Sequence, residues 1–292
     1  MQSRYVFPCA FALKLIKPFS LSTFKAMPNY QFLQISTTNR VATLTLNRPP
    51  VNSLSEAVLS ELNAAVDEVL ADANAKVIIL TGAGTRAFVA GADITTFRKQ
   101  LEGGEAGAAA ALEFLQLGQT LFSKIEDAPK PFIAALNGVA LGGGGELALA
   151  CHLRLMVDTG RIGWPEINLG LIPGWGGTQR LPHLIGPAKA LEMILTGEPV
   201  GAAEALALGI VNGVTSAEAL LPTAQTLAEK IASKGGLALR AALSAVVGGS
   251  GRPMAAGLAQ EIYAVRPLLL SADMREGVTA FLEKRAPKFE DK

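Results

Sequence analysis

The chain of 292 residues is poor in the groups that bind metals, form disulfides or cross membranes. It contains two cysteines and two histidines. Cys9 and Cys151 cannot make a disulfide framework, and such sparing use fits a reducing compartment. Cys151 lies in an apolar run, where an inert buried thiol is expected. His152 and His183 stand outside any CxxC or HxxxH spacing, which argues against a metal site built from them. No run of 18 uninterrupted apolar residues occurs. The most apolar part, 133–157, is broken by Asn137, four glycines, Glu146, His152 and Arg154, so no membrane span is expected.

Charge is also scarce, at 17% against 50% hydrophobic residues. That ratio supplies a substantial core and excludes global disorder, and the length suits one large domain or two small ones. Of the 26 basic residues, four (Arg4, Lys14, Lys17 and Lys25) fall in residues 1–26, where there is no acid. The remainder carries 22 basic against 25 acidic residues, a net of −3. It offers no basic face of the kind nucleic-acid binding requires.

Residues 1–26 are basic, acid-free and rich in Phe and Ser, a composition shared with mitochondrial transit peptides. Lys14, Lys17 and Pro18 interrupt the apolar stretch that a secretory signal would need. Two other readings are a disordered extension and a start codon placed too far upstream, with Met27 the true first residue. The Ala and Gly usage downstream favours the last of these in a bacterial, cytoplasmic protein; a genuine transit peptide would direct the chain to the mitochondrial matrix.

What the sequence does contain is glycine, and its densest cluster is the most informative stretch. An apolar run, 131–136, feeds Asn137-Gly138-Val139-Ala140-Leu141 and then Gly142 to Gly145, Glu146 and a helix-favouring Leu-Ala run. Glycines let a bulky group approach the main chain closely. A helix starting here leaves free N–H groups and partial positive charge at its first turn. These features suit an acceptor oxygen that gains negative charge during a reaction. A tight turn with close strand–helix packing is the plainer alternative, but each ordered glycine costs roughly 0.5–1 kcal/mol against alanine.

Along the chain, 41–46 alternates as a half-buried strand. Ser55 caps a helix whose apolar positions Val58, Leu59, Leu62, Ala65, Val66 and Val69 recur at helical spacing. KVIILT at 76–81 reads as a buried strand. The GxGxxA at 82–87 superficially fits a dinucleotide fingerprint, but the residues after it do not open a long helix, and the match is rejected. A Gly/Ala-rich loop and then a helix are expected over 101–125, a short strand over 153–157, and helices over 217–233, 237–247, 253–270 and 273–284. Strands alternating with helices, then helices alone, indicate an α/β core with a helical C-terminal part. Glu166 follows Pro165 in apolar surroundings, where burial raises a carboxyl pKa and makes it a useful proton donor. An exposed loop acid is the alternative. The spacing to Glu146 permits a strand and a turn between them, so the two acids can face one cleft.

Phe88-Val89-Ala90-Gly91-Ala92-Asp93-Ile94, Asn137-Gly138 through Glu146, and Trp164-Pro165-Glu166 through Arg180 together resemble the enoyl-CoA hydratase/isomerase (crotonase) family. Leu46-Asn47-Arg48-Pro49 and the segment from Arg275 to Arg285 fit the same resemblance, which extends from about Tyr30 to the C-terminus. It implies an α/β fold made of a spiral of ββα units. The core with the active site would span 27–215, and a helical region at 216–292 would assemble a homotrimer or homohexamer. It further implies an acyl-CoA thioester substrate, with coenzyme A part of the substrate and no separate cofactor or metal.

By the same resemblance the N–H groups of Ala92 and Gly143 form the oxyanion hole, and Glu146 and Glu166 are the catalytic acids. Gly91, Asp93, Ile94, Gly142 and Gly174 are expected to line the substrate site. Arg86, and Lys284 from a neighbouring subunit, are the candidates for the CoA phosphates, since Thr95 stands where relatives often carry a lysine. His152 replaces a usual acid and is expected to be structural; Trp164 either lines the acyl pocket or packs behind it. Possession of both acids favours hydration of trans-2-enoyl-CoA to 3-hydroxyacyl-CoA, in fatty-acid or amino-acid breakdown. A Δ3,Δ2-enoyl-CoA isomerase is the alternative within the fold. An RNA-binding relative is the alternative outside enzymology, and the net charge after Met27 argues against it.

Overall fold

The computed structural model describes residues 30–95, 98 and 102–292. The N-terminal extension, including Cys9, lies outside them.

Two sheets share the strands of a repeating pattern. A six-stranded sheet has the order β1 (Leu33–Thr38), β2 (Val41–Leu46), β3 (Val77–Gly82), β5 (Phe132–Leu136), β7 (Leu153–Val157), β10 (Gly213–Thr215). A four-stranded sheet has the order β4 (Ala87–Ala90), β6 (Val139–Leu141), β8 (Arg161–Gly163), β9 (Val200–Gly201). Only the outer pairs β1–β2 and β8–β9 are antiparallel. From β3 to β8 successive strands alternate between the sheets, and each pair is followed by helix: β3 and β4 by α2 (Gly104–Glu126), β5 and β6 by α3 (Gly143–Ala150), β7 and β8 by α4 (Gly177–Ile185). The chain therefore winds as a spiral of ββα turns.

The central strands of the larger sheet are buried on both faces, which explains the uninterrupted apolar run of β3. Ile78 and Leu80 point into the main core with Phe132 and Ala134, while Val77 and Ile79 point the other way with Ile133 and Ala135. The main core is closed by α1 (Glu56–Ala71), whose buried face is the predicted set from Val58 to Val69. Ser55 caps it, accepting from the Val58 N–H at 3.4 Å. The opposite face is covered by α7 (Leu220–Ala232) through Leu220, Ala224, Ala228 and Ala232, small residues that let the helix lie close. Between α4 and α7 the chain forms α5 (Pro187–Thr196) and α6 (Ala202–Ala207).

Two expectations shift. The helix foreseen after a loop in 101–125 already runs from Gly104, because the alanines at 108–111 are strong helix formers. The helix expected over 253–270 breaks into α9 (Met254–Val265) and a 3₁₀ turn, Arg266–Leu270, where Pro267 removes an N–H donor. α8 (Gly236–Gly249) packs against α9, and α10 (Ala272–Leu282) follows the 3₁₀ turn. Past α10 the chain folds back, and the Asp291 carboxylate accepts from Lys76 Nζ and Arg40 Nη2, both at 2.7 Å, and from the Gly236 N–H at 2.6 Å. Among the described residues no single helix is long and apolar enough to cross a membrane; α7 and α8 pass together by length but are bent by 105°.

Candidate active site

The turn from β6 into α3 is where the glycine cluster lies. Gly142 has φ +52°, and a Cβ there would also stand 2.7 Å from Glu166 Oε1, so a side chain is excluded twice. A Cβ at Gly144 would stand 2.0 Å from the Val89 carbonyl oxygen, so the helix can meet β4 only through glycine. Gly143 begins the helix, and its N–H has no intrahelical acceptor. No hydrogen bond takes that N–H elsewhere among the described residues. Ala92 is similarly placed. The Leu54 N–H donates to the Gly91 carbonyl at 2.9 Å and the Asp93 N–H to the Leu54 carbonyl at 2.8 Å, leaving the Ala92 N–H between them without a partner among the described residues.

Glu146 sits in the first turn of α3 at 1% exposure. Its Oε1 accepts from the backbone N–H groups of Trp175 and Gly177, each at 2.8 Å. Burial pushes its pKa up to about 7, against the pull of those two donors, and the charge of Glu166 adds to the rise. Glu166 follows Pro165 in the first positions of the 3₁₀ turn Pro165–Leu169. Burial raises its pKa too, and its Oε2 is enclosed with no hydrogen-bond partner. A buried acceptor left open in this way costs free energy unless something fills it.

Both carboxylates line a cavity of about 360 Å³ with Ala92 and Gly143, and the predicted Gly91, Ile94, Gly142 and Gly174 line it as well. Two larger hollows, 460 and 600 Å³, lie beneath α8 and contain neither acid. Three predicted binding residues are not brought to the cavity within one chain. Asp93 instead pairs with Arg48 and accepts from the N–H and hydroxyl of Thr95 at 3.0 and 2.6 Å, which holds its carboxyl below the usual range. Arg86 and Lys284 are exposed elsewhere. Among the described residues the cation that lines the cavity is Arg98, which sequence reasoning missed.

Three further residues resolve. Trp164 is fully buried behind the site, with its ring against Gly145 and Gly177. His152 accepts from the Phe132 N–H at Nδ1 (2.9 Å), so its Nε2 carries the proton and donates to the Glu126 carbonyl at 3.1 Å. Burial lowers its pKa, and it is a neutral structural bridge. Cys151 is buried, its thiol pushed up to about 12. Sequence reasoning also missed the brace on the loop beneath Glu146. Arg180 donates to the Trp175 carbonyl at 2.9 Å while pairing with Glu126 at 2.7 Å, which fixes the two N–H groups that hold the acid.

A family model described as enoyl-CoA hydratase/isomerase matches residues 36–292. The chain belongs to that family. Curated relatives include a "Probable enoyl-CoA hydratase" of Bacillus subtilis, 44% identical over 250 residues, which cover 85% of this chain and 95% of that protein. A "Crotonyl-CoA hydratase" of Syntrophomonas wolfei is 41% identical, covering 89% and 98%. The crystal structure of an enoyl-CoA hydratase from Bacillus anthracis superposes with a TM-score of 0.84 at 40% identity, covering 90% of this chain and all of that one. The fold is thus the family's, and the cavity with its two acids lies wholly inside the matched region.

Proposed function

We propose that this protein is a hydratase of trans-2-enoyl-CoA thioesters. The observation that carries the reading is the pair of glutamates, Glu146 buried and Glu166 half-buried, lining one cavity beside two unengaged backbone N–H groups. With the thioester oxygen between the amides of Ala92 and Gly143, ionised Glu146 takes a proton from water as the water oxygen bonds to the β-carbon. The C=C electron pair moves onto the thioester oxygen as an enolate, which the two N–H donors stabilise. Protonated Glu166 then gives its proton to the α-carbon, and proton exchange between the acids through solvent resets the site. Burial raises both neighbouring acids, Glu146 to about 7, which favours the pair holding one proton between them. This chemistry asks for no metal or redox group, coenzyme A being part of the substrate, with Arg98 at the cavity as a cation for its phosphates. The sparing use of cysteine and the bacterial relatives support a cytoplasmic location.

Exposed apolar side chains on α9 and α10, among them Ile262, Tyr263 and Phe281, support self-association, with a homotrimer or homohexamer the form that the family resemblance implies. In such an assembly Lys284 would be offered to a neighbouring subunit's cavity.

Steady-state hydration of crotonyl-CoA, followed by loss of the conjugated thioester absorbance, tests the reading. Glu146→Gln and Glu166→Gln are each expected to lower turnover by at least ~10², the scale of losing an acid–base group. Full activity in Glu146→Gln would reject the assigned roles. Faster isomerisation of a 3-enoyl-CoA than hydration of its 2-enoyl isomer would replace hydratase with isomerase.

A further inference from the structure

The cavity has an open end and a closed one. Ile94, Leu169, Leu171 and Ile172 line it while remaining 59%, 59%, 44% and 65% exposed, so they mark the mouth. Trp175 lines it at 2% exposure and marks the inner end. Its indole is fixed on every side. It stands edge-on to Phe114 and Phe122 of α2, with ring centroids 5.2 and 5.6 Å away. A Cβ at Gly118 of α2 would lie 2.3 Å from its Nε1, and a Cβ at Gly143 would lie 2.3 Å from its Cζ3. The ring thus fills a slot between α2 and the first turn of α3 that exists only because both residues are glycine. Its main chain is fixed as well, by the N–H bond to Glu146 and the carbonyl bond from Arg180.

We propose that the Trp175 indole is the floor of the acyl pocket and sets the length of chain the protein accepts. The inference rests on the hydratase reading. With the thioester oxygen at Ala92 and Gly143 and the β-carbon at the two glutamates, the acyl tail continues past Glu146. Trp175 is one of the two residues whose main-chain N–H donates to that carboxylate, and its ring lies against Gly143 in the same cavity, so the wall stands close beyond the reacting carbons. A ring packed against two glycines and two phenylalanines cannot swing aside without overlapping main chain. Short 2-enoyl chains fit above it and long ones collide with it. Pocket walls of this kind discriminate by about 10–200-fold per methylene.

The test is kcat/KM for 2-enoyl-CoAs of increasing length in wild type, Trp175→Phe and Trp175→Ala. All three keep the backbone N–H that holds Glu146. Wild type is expected to lose at least ~10² between crotonyl-CoA and 2-decenoyl-CoA. The ratio of decenoyl to crotonyl kcat/KM is expected to rise stepwise, by at least ~10-fold in Trp175→Phe and further in Trp175→Ala. Should Trp175→Ala fail to fold, the Phe variant decides alone. A flat wild-type profile, or an unchanged ratio in the Phe variant with crotonyl turnover retained, overturns the floor while leaving the hydratase reading intact. A wild type that hydrates none of these thioesters rejects that reading, and the floor with it.

Discussion

Glu146 is the residue whose environment and chemistry are most tightly joined. Burial favours its neutral form, while two N–H donors favour the carboxylate, and the balance leaves a pKa of about 7. The linkage to stability follows from that direction. The native state holds this proton more tightly than the unfolded chain, so the contribution is whole below the ordinary glutamate pKa and is lost as pH rises through about 7. A shift from 4.5 to about 7 corresponds to roughly 3 kcal/mol. Glutamine keeps the acceptor oxygen for Trp175 and Gly177 but never ionises. The melting-temperature advantage of Glu146→Gln over wild type is therefore expected to grow between pH 5 and pH 8. Parallel melting curves across that range would show the acid already ionised at no cost. Glu146 and Glu166 were legible in the sequence because each stands in a distinctive local pattern, a glycine cluster and a Trp-Pro-Glu. Trp175 was not, since its partners Gly118, Phe114 and Phe122 lie far upstream and no short-range spacing links them.

At the scale of elements, strands were the easiest to read. β2 alternates, β3 is apolar throughout, and each pattern has a single physical cause in how many faces are buried. Helix ends were harder. The start of α2 is a contest between glycine and alanine that a window cannot settle, and the break after α9 turns on one proline. The glycines inside α2 are costly in a helix interior, and Gly118 has a use visible only from its neighbour. Gly118→Ala places a methyl 2.3 Å from the Trp175 indole and is expected to lower stability by about 1–3 kcal/mol. A double-mutant cycle with Trp175→Phe separates this clash from helix propensity, which on its own would favour alanine. The penalty is expected to shrink by at least ~1 kcal/mol in the Phe background, because residues in contact are coupled. An equal penalty in both backgrounds would mean that α2 and the Glu146 loop are not wedged together by that ring.

For the whole molecule, the body and the C-terminal helices obey different rules. The two cores enclose the sheets and α7, whereas α8 has no buried residue and α9 has one, Ala264. Leu258, Ile262 and Tyr263 on α9, with Phe281 and Leu282 on α10, are 53–82% exposed. An isolated chain would present this surface to water, at about 25 cal/mol for each Å² that a partner could cover. The tail lashed to Lys76 and Arg40 holds the chain beyond α10 to the body, which gives the proposed assembly a fixed apolar surface to use. Sedimentation velocity is expected to give a particle three or six times the chain mass of 30.4 kDa. Ile262→Glu combined with Phe281→Glu buries two carboxylates at that surface and is expected to shift the distribution to the single-chain mass. With Lys284 of a neighbouring copy acting as proposed on the CoA phosphates, the same shift should also raise KM for the CoA thioester. A wild-type particle of one chain mass would separate this protein's C-terminal helices from assembly and require another cover for them.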